Sequence, residues 1–264
     1  MSLAASATAA ADWRHGLLVS VRDAAEAAIV AAAGASIVDI KEPQHGPLGR
    51  ADADVAAAAI IAVAGRAAVT LACGELTDGP TVIAAYLDDV LARLNGSARP
   101  VAVKAGPAGL SSVAWIGAYR RLADRMPHGV ETVAVAYADW HAASAPPPHE
   151  IIAAAANAGA RTVLVDTFDK AGPGLFGTAS RADVAEWVGR ARDAGLTLAV
   201  AGKLTAAEVP LAFDLGADVV GVRSAACSGG RLGRIDRTRV FALGKLGGIG
   251  RAVSTAIPAG ESIS

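Results

Sequence analysis

The sequence predicts an α/β fold, a single (β/α)8 TIM barrel, on three observations. Eight short β-forming runs alternate with alanine-rich helical stretches over 264 residues, a length that suits one barrel or at most two small domains. The runs are almost continuously apolar, as strands are in a parallel sheet covered on its outer face. No linker and no block of charge divides the chain. A doubly wound open sheet is the competing architecture, but no Gly-x-Gly-x-x-Gly follows the first run, so a dinucleotide site is not expected.

The runs, in order, are GLLVSV (16–21), SIVDIK (36–41), AVTLACG (68–74), PVAVKAG (100–106), ETVAVAY (131–137), RTVLVD (161–166), LTLAVAG (196–202) and ADVVGVR (217–223). Between them lie amphipathic segments such as RDAAEAAIVAAAG, DVAAAAIIAVAGR, TVIAAYLDDVLARLNG and RADVAEWVGRARDAG. Many of these close on a glycine, the usual helix stop. The last helix is IDRTRVFALGKLGG. The catalytic barrel is expected over 16–250, with a C-terminal tail at 251–264. The first fifteen residues, MSLAASATAAADWRH, lack a basic segment followed by an apolar one, and read as a disordered leader rather than a signal peptide.

Composition narrows the function. The chain is 53% hydrophobic yet only 4% aromatic, so its core is built from Ala, Val, Leu and Ile. A formal net charge of -1 gives no reason to expect nucleic acid or an anionic membrane as partner. The longest apolar run, VAAAAIIAVAG, is too short to span a bilayer. Cys73 and Cys227 cannot form a disulfide framework and read as small buried hydrophobes in a reducing cytoplasm. None of the five histidines has zinc spacing, and the acids do not group as a magnesium site, so no metal is expected.

Barrel chemistry sits at the C-terminal ends of the strands. There the second strand carries Asp39 and Lys41, the fourth Lys104, the sixth Asp166 with Lys170 in its loop, the seventh Gly202 and Lys203, and the eighth Arg223 and Ser224. Residues i and i+2 of a strand share a face, so Asp39 and Lys41 both point inward, with Asp39 beneath Lys41. This pair reads as a carboxylate steering protons for an amine; a buried ion pair that only fills the barrel is the plainer alternative. Converging cations and burial lower an amine's pKa, whereas Asp39 raises it, so the net direction for Lys41 stays open. The loops after the seventh and eighth strands suit phosphate, through backbone N–H groups and a helix N-terminus, with Gly202, Lys203, Arg223 and Ser224 as candidate anchors and a bidentate contact from the Arg223 guanidinium. Two plainer alternatives remain: Arg223 as the partner of a neighbouring acid, and Lys203 as a solvated side chain.

Seven motifs, LLVSVRDAAEA, IVDIKEPQHGPLG, VKAG, AYAD, LVDTFDKAGPGLFG, LAVAGKL and GADVVGVRSAACSGG…GRIDRTRV, fall in order at the strand ends over residues 16–243. Together they resemble the (5-formylfuran-3-yl)methyl phosphate synthase family of methanofuran biosynthesis, also called 4-(hydroxymethyl)-2-furancarboxaldehyde-phosphate synthase. The resemblance implies a TIM-barrel lyase of the carbon–oxygen type that needs no cofactor. It implies condensation of two glyceraldehyde 3-phosphate molecules into a furan aldehyde phosphate, with loss of phosphate and water. It implies Lys41 as the Schiff-base residue, Lys104 as the proton acceptor, and Asp39, Asp166 and Lys170 as further acid and base positions. A cytoplasmic homo-oligomer is expected. The region 74–98 and the glycine-rich SGGRLGRID, with Ser228 where a basic residue is common, depart from the family pattern. Two other classes stay open from the residues alone: another lysine-dependent class I aldolase or phosphosugar isomerase, and a non-catalytic metabolite-binding barrel.

Overall fold

The computed structural model describes residues 13–246, apart from Asn95 and Ser97. Eight parallel strands close into a barrel: β1 (Gly16–Val21), β2 (Ile37–Ile40), β3 (Ala68–Glu75), β4 (Ala102–Gly106), β5 (Glu131–Tyr137), β6 (Thr162–Asp166), β7 (Thr197–Val200) and β8 (Val219–Val222). Closure is made by β1 against β8, with Gly16 opposite Val219. The helices that cover the barrel are α1 (Ala24–Ala32), α2 (Ala53–Val63), α3 (Pro80–Ala92), α4 (Ser112–Ala123), α5 (Trp140–Ala143), α6 (Pro148–Asn157), α7 (Leu175–Thr178), α8 (Arg181–Asp193), α9 (Glu208–Asp214) and α10 (Arg237–Leu246). Between β8 and α10 a short antiparallel ribbon, β9 (Cys227–Ser228) and β10 (Arg234–Ile235), carries the glycine-rich segment.

The two-residue period of the strands sorts side chains into two cores. Val19, Val21, Val38, Ile40, Val103 and Val165 face out and pack under the helices. Leu18, Ile37, Ala102, Val133, Leu164 and Val219 face in and fill the barrel's interior. One pleat further along the same strands the inward positions turn polar: Ser20, Asp39, Thr70, Lys104 and Asp166, all buried. Alanine suits the outer layer because small side chains let α1 and α2 lie close, with Ala27, Ala31, Ala56, Ala57 and Ala59 buried there.

Local signals set the boundaries. Asp23 caps α1 by accepting the Glu26 N–H at 2.8 Å, and Ser180 with Asp183 forms a capping box at α8. Hydrogen bonding continues beyond the regular strands: Lys41 N–H donates to Val21 O at 3.0 Å and Ala201 N–H to Val165 O at 2.8 Å. The third strand runs to Glu75, past the predicted Gly74, because its register to β4 shifts between Ala72 and Glu75.

The expected leader is corrected at its end. Trp13 packs against the cluster inside the barrel, and Arg14 pairs with Glu131, so both are anchored to the fold. Residues 1–12 and the predicted tail, 251–264, lie outside the described residues. Cys73 and Cys227 are free and buried. Among the described residues no helix is long and apolar enough to cross a membrane.

Candidate active site

A cavity opens at the C-terminal mouth of the barrel. All nine residues singled out from the sequence line it: Asp39, Lys41, Lys104, Asp166, Lys170, Gly202, Lys203, Arg223 and Ser224. Their partners, however, are not all the expected ones.

Asp39 belongs to Lys104, not to Lys41. The Lys104 amine reaches down from β4 and forms an ion pair with Asp39 Oδ1. Ser20 Oγ donates to Asp39 Oδ2 at 2.9 Å and Thr70 Oγ1 to Oδ1 at 2.8 Å. The cause is register. Thr70 stands between Asp39 on β2 and Ala102 on β4, so Lys104, one pleat above Ala102, reaches down to the Asp39 layer. Lys41, one pleat above Asp39, turns its Nζ towards Pro47 O at 3.4 Å in the loop after β2.

Asp166 ends β6 and takes Lys170. Lys170 Nζ donates to Asp166 Oδ1 at 2.7 Å and to Thr167 Oγ1 at 3.3 Å, and Thr167 N–H donates to Asp166 Oδ1 at 2.7 Å. Burial alone pushes this carboxyl up, but the Lys170 and Lys41 cations and these hydrogen bonds outweigh it and hold it below its usual value.

Lys41 therefore differs from its neighbours. Of Lys41, Lys104 and Lys170, it alone has no carboxylate hydrogen bond. Burial, the largest influence, draws its amine down to about 8, against the upward pull of Asp166 and Asp39 and with the help of Lys170 and Arg231. Roughly one such amine in ten is then neutral at pH 7, against fewer than one in a thousand for an ordinary lysine.

The seventh and eighth strand ends offer backbone donors. The N–H groups of Gly202, Lys203 and Ser224 donate to no acceptor among the described residues. Gly202 has φ of +113°, and a Cβ there would come within 2.9 Å of Thr167 Cγ2, so the close turn requires glycine. Lys203 follows with φ of +54°, a left-handed conformation unusual for lysine, and its amine is tied to Gly172 O in the loop after β6. A concave run of backbone N–H groups of this kind suits an anion.

Arg223 is corrected as a phosphate ligand. Its guanidinium has five N–H donors, and all five are taken. Nε donates to Arg231 O at 2.7 Å, and Nη1 to Ser20 O and Glu26 Oε2, both at 2.9 Å. Nη2 donates to Glu26 Oε1 at 3.3 Å and Gly233 O at 3.2 Å. Arg223 is a strut that ties the glycine-rich ribbon to β1 and α1. Burial pushes Glu26 up, but Arg223 more than offsets this and holds its carboxyl below the ordinary value.

Two residues, Arg231 and Glu75, escaped the sequence reading. Arg231, in the glycine-rich turn of the ribbon, swings over the mouth; its Nη2 donates to Pro43 O at 3.0 Å and Gly46 O at 2.8 Å. Glu75 accepts from Tyr137 Oη at 2.6 Å and from Ala108 N–H at 3.1 Å beside the mouth. Burial raises Glu75, more than the Tyr137 hydrogen bond lowers it. A Cβ at Gly106 would lie 2.1 Å from Glu75 Oε2 and 2.2 Å from Tyr137 Oη, so that glycine makes room for the pair. The available signal was Tyr137 in the AYAD motif. Asp139 of the same motif accepts from Phe168 N–H at 2.6 Å and Asp169 N–H at 2.8 Å, shaping the loop that carries Lys170.

The family described as 4-HFC-P synthase matches residues 17–244. A (5-formylfuran-3-yl)methyl phosphate synthase of Methanocaldococcus jannaschii is 34% identical over 87% of this chain and 98% of its own. That of Methanopyrus kandleri is 32% identical over 82% of this chain and 91% of its own. Among solved structures, 3-hexulose-6-phosphate synthase from Salmonella typhimurium superposes with a TM-score of 0.60 at 16% identity, covering 88% of this chain and 97% of that one. Thiamine phosphate pyrophosphorylase from Pyrococcus furiosus gives 0.58 at 13% identity, covering 88% and 95%. These two show the barrel fold alone. The family match across nearly the whole barrel, with relatives above 30% identity, settles the kinship: the chain belongs to the 4-HFC-P synthase family, whose curated members are (5-formylfuran-3-yl)methyl phosphate synthases.

Proposed function

We propose that the protein condenses two molecules of glyceraldehyde 3-phosphate into (5-formylfuran-3-yl)methyl phosphate through an imine on Lys41. The balance is two triose phosphates in, and one furan phosphate, one phosphate and two waters out, with no net oxidation. The observation that carries the reading is the unequal treatment of three lysines: Lys104 and Lys170 are bonded to carboxylates, while Lys41 is not and has its pKa lowered to about 8.

A neutral amine attacks the substrate carbonyl and loses water to give an iminium, which acidifies the adjacent carbon. Lys104, once it has passed its proton to the paired Asp39 carboxylate, is the group that takes a proton from that carbon, and the proton returns through the same pair. Lys170 with Asp166 supplies a proton or positive charge at the departing oxygens. Backbone N–H groups of Gly202, Lys203 and Ser224 hold the phosphate of the imine-bound molecule, and so fix its reacting end. The product is a furan precursor of the kind used in methanofuran biosynthesis, as the resemblance implies.

The test is to incubate the protein with glyceraldehyde 3-phosphate alone and record the ultraviolet spectrum. Growth of the conjugated furan aldehyde band with release of one phosphate per furan is expected. Imine formation without a furan band would assign the protein to another lysine-dependent aldolase, and no reaction with any triose phosphate would favour a binding protein.

A further inference from the structure

Condensing two phosphorylated molecules needs two places for phosphate, and the mouth accounts for one. The central cavity has a free volume of about 40 Å³. Beside it lies an outer chamber of about 450 Å³, between the loop after β2, the loop after β6 and the ribbon. Lys170 and Arg231 line both spaces and so stand at the passage between them.

Arg231 is the reverse of Arg223. Arg223 spends all five donors on the protein. Arg231 spends only the two on Nη2, which fix it to the Pro43 and Gly46 carbonyls. Its Nε–H and both Nη1 hydrogens have no acceptor among the described residues, and neither atom is sealed from solvent. Half-buried, this cation is partly stripped of water, and its unspent Nε–H and Nη1–H groups can each give a charge-assisted hydrogen bond to a phosphate oxygen. Lys170 has one N–H beyond those given to Asp166 and Thr167. Phe168, Pro43 and Pro47 give the chamber apolar wall for a short carbon chain. Asp169 also lines it, but its Oδ1 accepts the Ala171 N–H at 2.8 Å.

We propose that the outer chamber is the subsite of the second triose phosphate, and that Arg231, with Lys170, holds its phosphate while its carbonyl end reaches towards Lys41. The proposal rests on the Lys41 reading above, and deepens it by giving the two substrate molecules separate anchors. It also explains why the ribbon is strapped down by Arg223: the strap positions Arg231 over the passage.

The experiment separates the two molecules. Borohydride traps the first as a reduced one-triose adduct on Lys41, read by mass spectrometry against glyceraldehyde 3-phosphate concentration; furan formation reports the second. In Arg231→Met, which keeps the apolar stem, the concentration for half-maximal furan formation should rise about tenfold or more, while half-saturation of the adduct stays within about twofold. Arg231→Lys, which keeps the charge but not the spread of guanidinium donors, should recover part of the loss, as a merely structural defect would not. If both constants shift together, or neither shifts, the second subsite is wrong. If the unsubstituted protein traps nothing on Lys41, the Lys41 reading falls and takes this proposal with it.

Discussion

The floor and the mouth of the barrel are built from the same strands, two residues apart, and behave as different materials. At the floor, Leu18, Ile37, Ala102 and Leu164 face inward and pack against one another. One pleat on, Ser20, Asp39, Lys104 and Asp166 face the same axis and are equally buried. Burying apolar groups stabilises the fold. Burying three ionisable groups within one layer is a poor source of stability, since desolvation offsets much of their mutual attraction. The difference teaches where stability and chemistry separate along a strand: residue i holds the barrel shut, and residue i+2 is held by it.

Substitutions at each level sharpen that contrast. The largest effect is expected at Lys41. Lys41→Met removes the nucleophile, and furan formation should fall by about a thousandfold or more. Stability should hold or rise. The fold weakens this lysine's hold on its proton, so at neutral pH the unfolded chain binds that proton more tightly and the charged amine works against folding. A fall in thermal midpoint together with lost activity would mean that Lys41 supports the structure instead.

Glu26→Ala comes next, and acts at the rim. It leaves the Arg223 cation buried without its carboxylate, a change that costs about 3–5 kcal/mol in comparable pairs. Thermal unfolding should show that loss, and activity should drop because the ribbon carrying Arg231 comes loose. Unchanged stability would show that the strut carries little. The smallest effect belongs to the floor: Ile37→Val removes one methylene from the interior and should cost about 0.5–1.5 kcal/mol, with the rate per folded molecule unchanged. A large change in rate from so small a cavity would mean that the two levels are coupled more tightly than their separate packing suggests.

The same contrast explains what the sequence could and could not reveal. Strand positions followed from period-two alternation and glycine stops, which depend on neighbours in the chain, and the eight strands fall where the pattern put them. All nine site residues reach the cavity because strand ends in a closed barrel converge whatever their side chains do. Partnership is another matter. Whether Asp39 takes Lys41 or Lys104 is decided by the register of β2, β3 and β4, which no local pattern encodes. Arg223 was read as a phosphate ligand because its consumers, Glu26 and two carbonyls of the ribbon, are distant in sequence or belong to a ribbon of two-residue strands too short to show a period. Arg231 and Glu75 were missed for related reasons: one sits in a glycine-rich stretch without periodicity, the other at a register shift.

The central claim is that Lys41 alone among the three lysines is free to act as an amine. Borohydride trapping with glyceraldehyde 3-phosphate, mapped to each lysine by peptide mass spectrometry across a pH series, tests it most directly. The adduct is predicted on the peptide containing Lys41, forming faster as pH rises through about 8 and levelling above it, because the neutral form reacts. Adducts on Lys104 or Lys170 with none on Lys41, or a Lys41 rate still climbing as an ordinary lysine's would up to about pH 10, would contradict the account.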